Sequence, residues 1–376
     1  MKVGIDVLID GNCKLLAGQR VGLLSHLAAV GRCGATSAQL LHRALGKNLV
    51  ALFGPEHGFF GNFGAGERTV GRQHPDWGIP VYALYGDTRK PTPNMLAGID
   101  TMVFDLQDLG VRCYTYLGTL QLLLEACAEN HLRVVVADRP IPLPDVVDGP
   151  MLHAPFASFV APVAVPMVYG MTMGEVATWM VKHLSLDVSL HVVKMTGYRR
   201  PSPGFAESGF PDFIPPSPGI RSRETAMTYA ATVFCEAIPE IDCGRNTALA
   251  FRIFGAPWIH AEEFCRKVAD LGVHGVTFSP HRYTAVGGRH DGKELDGVRL
   301  TVTDARKFRP VQTSLAVIRT LTELYGAERV WKSEGVRPEW FDKLYGTDTV
   351  RRQLETGTDL ANIAKGWKRF SRVLFY

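Results

Sequence analysis

The sequence predicts an α/β protein, with a largely parallel sheet in the first half and a smaller α+β part after it. Three observations lead there. Strand-like and helix-like segments alternate through the first half. The valine run of Arg133 to Ala137 is apolar throughout, as strands covered on both faces are. After a Pro, Gly and Ser-rich stretch ending at Ser222 the rhythm changes to a mixture of helices and strands. At 376 residues the chain is long for one core, so two domains are expected, residues 1–222 and 223–376.

Taken in order, Arg20 to Ser25 reads as a strand, Ser37 to Leu45 as a helix and Leu49 to Phe53 as the next strand. Val81 to Leu84 is a short strand, Pro93 to Leu96 a helical turn, and Thr101 to Phe104 another strand. Leu117 to Glu129 is a helix, because Leu117, Leu120, Leu124 and Cys127 recur at helical spacing. Prolines interrupt the alternation from Pro140 to Pro166, and this stretch is expected to wrap the surface. Thr172 is placed to cap a helix from Met173 to Leu184, with Glu175 completing a capping box. Leu190 to Lys194 follows as a strand. The Phe and Ile content of Arg199 to Ser222 favours a structured loop over a cleft. Beyond it, helices are expected at Ala261 to Leu271, Pro310 to Leu324 and Trp340 to Tyr345, and strands at Val276 to Ser279 and Gly297 to Thr303.

Composition narrows the function. Apolar residues at 46% and charged residues at 21% describe an ordinary folded protein. A net charge of +4, from 41 basic and 37 acidic residues, is mild and scattered, so no nucleic-acid partner is expected. Seven cysteines without CxxC spacing argue against a disulfide framework or a zinc site and for a reducing compartment. Asp6 stands where a signal peptide needs an apolar core, and no run approaches membrane-spanning length. The chain as given is therefore expected to be cytoplasmic. Oligomeric state has no handle in the sequence.

The candidate chemistry gathers at strand ends. Phe53 is followed by Gly-Pro, then Glu56 and His57; Phe104 by Asp105, Asp108, Arg112, Tyr114 and Tyr116; Ala137 by Asp138 and Arg139. If these strands are parallel, all three groups lie at one edge of the sheet, where ligands bind. Each group also has a structural reading: turn capping, bonds to backbone amides, or local ion pairs. Glu67 joins the site only if its loop folds back. Gly64-Ala65-Gly66-Glu67-Arg68 lacks the Lys-Ser/Thr of a phosphate loop. Cys243 has no evident base partner and reads as an inert thiol.

Phe53-Gly54-Pro55-Glu56-His57-Gly58, Ala65-Gly66-Glu67, Leu84-Tyr85-Gly86 and Lys90-Pro91-Thr92-Pro93 together resemble the exo-β-N-acetylmuramidases, the NamZ-like glycoside hydrolases. So do Val103-Phe104-Asp105-Leu106-Gln107-Asp108-Leu109-Gly110-Val111-Arg112, Tyr114-Thr115-Tyr116 and Asp138-Arg139-Pro140. Gly170-Met171-Thr172, Pro215-Pro216-Ser217-Pro218, Gly255-Ala256-Pro257-Trp258 and Phe341-Asp342-Lys343-Leu344-Tyr345-Gly346-Thr347 continue the pattern.

The resemblance implies a Rossmann-like N-terminal domain, a smaller C-terminal domain and an active site between them. It implies release of N-acetylmuramic acid from the non-reducing end of peptidoglycan fragments, with a peptidoglycan-derived amino sugar as substrate and no metal or cofactor. Glu56 is then the expected general acid, oriented by His57, with Glu67, Asp105 or Asp108 as base, nucleophile or stabiliser. The substrate's own acetamido group is a further candidate nucleophile. Arg112 or Arg139 would receive the lactyl carboxylate, and Tyr114 or Tyr116 would meet the sugar ring. The chain departs from the family pattern at Ile141 (usually Asn), at Tyr169 (usually His) and over Ala237 to Cys243, whereas Glu236 and Gly244-Arg245 are kept. Tyr169, Glu236 and Arg245 are expected to line the cleft beside Asp138. A glycosidase for another amino sugar, an inactive sugar-binding protein and a metal-dependent hydrolase are the alternatives.

Overall fold

Aliphatic and β-branched runs build a central sheet whose two faces carry different cores. In a computed structural model, which describes residues 1–206, 213–367 and 369–376, the strands in chain order are β1 (Val21–Ser25), β2 (Leu49–Gly54), β3 (Arg72–Gln73), β4 (Pro80–Ala83), β5 (Thr101–Asp105), β6 (Arg133–Ala137), β7 (Asp148–Met151), β8 (Pro166–Val168) and β9 (Leu190–Val193). Seven of them form one sheet in the order β3-β4-β2-β1-β5-β6-β9, parallel except where β3 meets β4. Side chains alternate between its faces: Val134 and Val136 join one core, Val135 and Ala137 the other. Fully burying one such side chain stabilises the fold by about 1.5–3 kcal/mol. The α/β architecture is thus the one expected, and the order reverses direction at β1, between β2 and β5.

Helix Met173–His183 has the expected capping box: Thr172 Oγ1 accepts from the Glu175 amide at 3.3 Å, and Glu175 Oε2 accepts from the Thr172 amide at 2.8 Å. The stretch from Pro140 to Pro166 wraps the surface only in its middle, where His153, Ala154, Pro155 and Ala157 are exposed; both ends are buried. Ile141, Leu143, Val146, Val163 and Val165 are buried, and β7 and β8 pair as a small antiparallel ribbon. Its prolines end the α/β alternation without making the segment polar, and its aliphatic residues are what the core takes up.

The later part contains an antiparallel sheet, β10 (Ile253–Phe254), β11 (Val276–Thr284) and β12 (Glu294–Val302), in the order β10-β12-β11. Helices Arg223–Thr232 and Ala261–Ala269 pack on it, helix Pro310–Tyr325 packs on those two helices, and helix Pro338–Tyr345 follows. One hydrophobic core runs from Phe53 and Phe104 through Phe254 to Phe341. Polar ties cross as well: Asp148 caps helix Pro310–Tyr325, accepting from the amides of Val311 at 2.7 Å and Gln312 at 3.2 Å. The C-terminal Tyr376 hydroxyl donates to Asp138 at 2.7 Å. Residues 207–212 of the expected cleft loop lie outside the described residues.

Candidate active site

The turn after β2 is built to present two titratable side chains. A Cβ on Gly54 would collide with the Phe59 amide, so only glycine lets the chain fold back there. His57 adopts φ +71°, a conformation side chains other than glycine rarely hold, and Gly58 follows at φ +77°. Glu56 is 8% exposed and both of its oxygens are held. Oε1 accepts from the Gly66 amide at 2.7 Å, and Oε2 accepts from the Thr115 hydroxyl at 2.7 Å. His57 Nδ1 lies 3.1 Å from the Phe63 carbonyl, which can only accept; Nδ1 therefore carries the proton.

This turn forms one wall of a cavity of about 490 Å³, beyond the carboxyl ends of β2 and β5 and beside the strand-order reversal at β1. Tyr85, Tyr114 and Thr115 complete that wall. Burial and the neighbouring Glu56 raise the Tyr85 hydroxyl above its ordinary value. The opposite wall comes from the later part of the chain: Tyr229, Glu236, Arg245, Phe251, Arg337 and Trp340. Arg245 Nη2 stands 2.9 Å from Glu236 Oε1 as an ion pair, without the alignment of a hydrogen bond. Burial pushes the Glu236 carboxyl up; Arg245 pulls it down and Glu56 pushes it further up. Both carboxylates line the same cavity.

A second chamber of about 380 Å³ shares His57 and Ser217 with the first. A relay of hydrogen bonds fixes its inner face. The Gln107 amide donates to His26 Nε2 at 3.0 Å, so the proton of this ring sits on Nδ1, 3.2 Å from the Tyr116 hydroxyl. That hydroxyl donates to the Pro216 carbonyl at 2.7 Å, anchoring the Pro215–Pro218 segment over the cavities. Burial, with Arg139 nearby, lowers the His26 pKa to about 3 and keeps the ring neutral.

The expected site residues divide. Strands β2, β5 and β6 are parallel, as anticipated, yet of the three strand-end groups Glu56, His57 and Tyr114 reach the larger cavity, joined by Glu236 and Arg245 from the later part. Tyr116 faces the second chamber, with its ring 4.8 Å from that of Tyr114. Glu67 is exposed on the loop whose Gly66 amide holds Glu56, and its own Oε2 accepts from the Gly64 amide.

The remaining candidates stand in the interior, away from the cavity wall. Asp105 is buried against Arg139 and Ser37, since Arg139 aims Nε and Nη2 at its two oxygens. Arg139 is therefore committed to a structural ion pair. Among the described residues Arg112 meets no carboxylate: it donates to the carbonyls of Pro150 at 2.9 Å, Val165 at 2.7 Å and Leu344 at 3.3 Å. Burial lowers its pKa to about 10. Asp138 accepts from Thr172, the Gly174 amide and Tyr376. Tyr169 donates to Asp108 at 2.7 Å, and burial raises Asp108 to about 6. Among the described residues, no three His, Cys, Asp or Glu side chains are grouped to hold a metal ion.

Several wall residues went unread in the sequence. Tyr85 lay within a recognised motif without a role. Tyr229 sits on a helix buried on all sides, and Arg337 and Trp340 lie at the start of a short helix far along the chain with no strand end to mark them.

Comparison with known proteins agrees with this architecture. The family description "Exo-beta-N-acetylmuramidase NamZ, N-terminal" matches residues 21–224, and its C-terminal counterpart matches residues 227–372. The chain is 38% identical to the peptidoglycan β-N-acetylmuramidase NamZ of Bacillus subtilis over 98% of its own length and 88% of the relative's. Crystal structures of two DUF1343 family proteins from Bacteroides fragilis superpose on 98% of this chain. One has a TM-score of 0.87 at 31% identity over 99% of that protein. The other has a TM-score of 0.76 at 26% identity over 94% of it. With both halves matched in order and the relative aligned nearly end to end, the chain belongs to the exo-β-N-acetylmuramidase NamZ family.

Proposed function

We propose that this protein is a glycoside hydrolase, an exo-acting β-N-acetylmuramidase that releases N-acetylmuramic acid from the non-reducing end of peptidoglycan fragments. The observation that carries the reading is the pair of carboxylates, Glu56 and Glu236, facing one sugar-sized cavity at the strand-order reversal. Hydrolysis of a glycosidic bond needs a proton for the leaving oxygen and negative charge opposite the oxocarbenium-like centre. Glu56 delivers the proton. Its two neutral donors, the Gly66 amide and the Thr115 hydroxyl, fix its direction. Glu236, paired with Arg245, is the anion facing the sugar. His57 shapes the turn that aims Glu56, and Tyr85, Tyr114 and Tyr229 line the cavity around the substrate. Division into domains near residue 222 is part of the reading, supported by the change of family match between residues 224 and 227. No helix among the described residues is long and apolar enough to cross a membrane. Seven free thiols support action in a reducing, cytoplasmic compartment.

The test is hydrolysis of a chromogenic β-N-acetylmuramide and of the matching β-N-acetylglucosaminide. Wild-type protein should cleave the muramide with clear preference. Glu56→Gln should lose about 10³-fold on a muramic-acid disaccharide but much less on an aryl glycoside, whose leaving group needs little proton assistance. No cleavage of either aryl glycoside by wild type would remove the muramidase reading.

A further inference from the structure

Muramic acid differs from glucosamine by a lactyl ether whose carboxylate is anionic at neutral pH. An enzyme that prefers the muramide needs a cation free to meet it. Among the described residues, the guanidinium groups in the wall of the larger cavity are those of Arg245 and Arg337. Arg245 is occupied by Glu236 at 2.9 Å. Arg112 and Arg139, the two arginines suggested by sequence, are consumed by buried carbonyls and by Asp105.

Arg337 is different. It is exposed at the cavity mouth, and among the described residues it forms no ion pair with a carboxylate. Its bonding there is to a neutral group: Nη2 donates to the Glu236 main-chain carbonyl. The guanidinium carbon lies 5.7 Å from the Trp340 ring centroid. Its backbone is pinned as well, because its amide donates to the Ala237 carbonyl at 2.8 Å and helix Pro338–Tyr345 begins at the next residue. A guanidinium braced in this way keeps further N–H donors for a planar carboxylate. Through Glu236 it is also tied to the carboxylate that faces the reacting sugar.

We propose that Arg337, braced on Trp340, receives the lactyl carboxylate and is the residue that distinguishes muramic acid from glucosamine substrates. This rests on the muramidase reading. The test compares the chromogenic muramide with the same compound carrying its lactyl carboxylate as a primary amide, in wild type, Arg337→Met and Arg337→Lys. Wild type should prefer the free acid over the amide by about 10- to 100-fold in kcat/KM, the range of a charge-assisted hydrogen bond. Arg337→Met should bring that ratio close to one, mainly through a higher KM for the acid, and Arg337→Lys should restore part of it. Because each ratio is taken within one protein sample, a change in folded fraction does not alter it. A wild-type ratio near one, or an undiminished ratio in Arg337→Met, overturns the assignment while leaving muramidase activity standing. Failure of wild type on both compounds would instead overturn the underlying reading.

Discussion

The Thr115 hydroxyl donates to Glu56 Oε2 at 2.7 Å, joining residues 59 positions apart and locking the start of helix Tyr116–Glu129 to the turn beyond β2. The bond gives a first prediction. Thr115→Val keeps the shape of the side chain and deletes the donor, leaving Glu56 with the Gly66 amide alone. We expect kcat to fall roughly tenfold with KM little changed, at a stability cost of about 1 kcal/mol, and Thr115→Ser to behave as wild type. Steady-state kinetics with a muramic-acid disaccharide checks this; unchanged kcat in Thr115→Val would show that Glu56 is aimed without the hydroxyl.

Glu236 sets the second prediction. Its carboxyl is raised by burial and by Glu56 and lowered by Arg245. If the anion is the working form, activity grows as pH rises through its pKa. Arg245→Met removes the lowering influence, so the acid limb of kcat/KM must move to higher pH. Glu236→Gln should lose about 10²–10⁴-fold across the profile. An acid limb in Arg245→Met that stays in place or moves to lower pH would contradict the role given to Glu236.

Much of the first half was legible because each strand there carries its signal locally. Arg133 to Ala137 and Ser37 to Leu45 have the ends their side-chain patterns predict. Helix Arg223–Thr232 was not legible. Thr225 to Thr232 are all buried, so the helix lacks the polar stripe that betrays an amphipathic one, and its threonines bond back to carbonyls such as Ala250 and Phe251. At the site, Glu56 and Tyr114 were visible as strand-end residues, but their partners come from distant segments. Burial decided the rest: Asp105 pairs with Arg139, and Asp108 accepts from Tyr169, each in the interior rather than on the cavity wall. Two departures from the family pattern, Ile141 and Tyr169, are core residues away from the cavity wall, whereas Pro239, within the altered Ala237 to Cys243 run, lines it.

Arg112 is predicted to matter for stability. It is fully buried and donates to three carbonyls, two from the segment Pro150 to Val165 and one from helix Pro338–Tyr345. Gly346 leaves room for it, since a Cβ there would run into its guanidinium. Arg112→Met should destabilise the protein by about 3 kcal/mol or more, because three buried acceptors lose their donor together. Arg112→Lys should rescue little, since a single ammonium cannot reach the same fork of carbonyls. Chemical denaturation measures both; a loss below 1 kcal/mol in Arg112→Met would mean that water replaces the guanidinium.

Asp148 gives the last prediction, a pH dependence of stability. Burial raises its carboxyl from 3.8 to about 6, against the lowering effect of the Val311 and Gln312 amides. The folded chain therefore holds this proton more tightly than the unfolded chain. The resulting stability is fully present below pH 3.8 and is lost as pH rises through about 6. Asp148→Asn keeps an oxygen that can accept from the Val311 amide at the start of helix Pro310–Tyr325 but removes the titration. Between pH 4.5 and pH 7.5 wild type should lose about 2 kcal/mol more stability than Asp148→Asn. Asp108 and Asp138, also raised to about 6 by burial, lose stability in the same direction but are common to both proteins and cancel. Urea denaturation at the two pH values decides the point: parallel losses in wild type and variant would place the Asp148 carboxyl at its ordinary value in the folded protein.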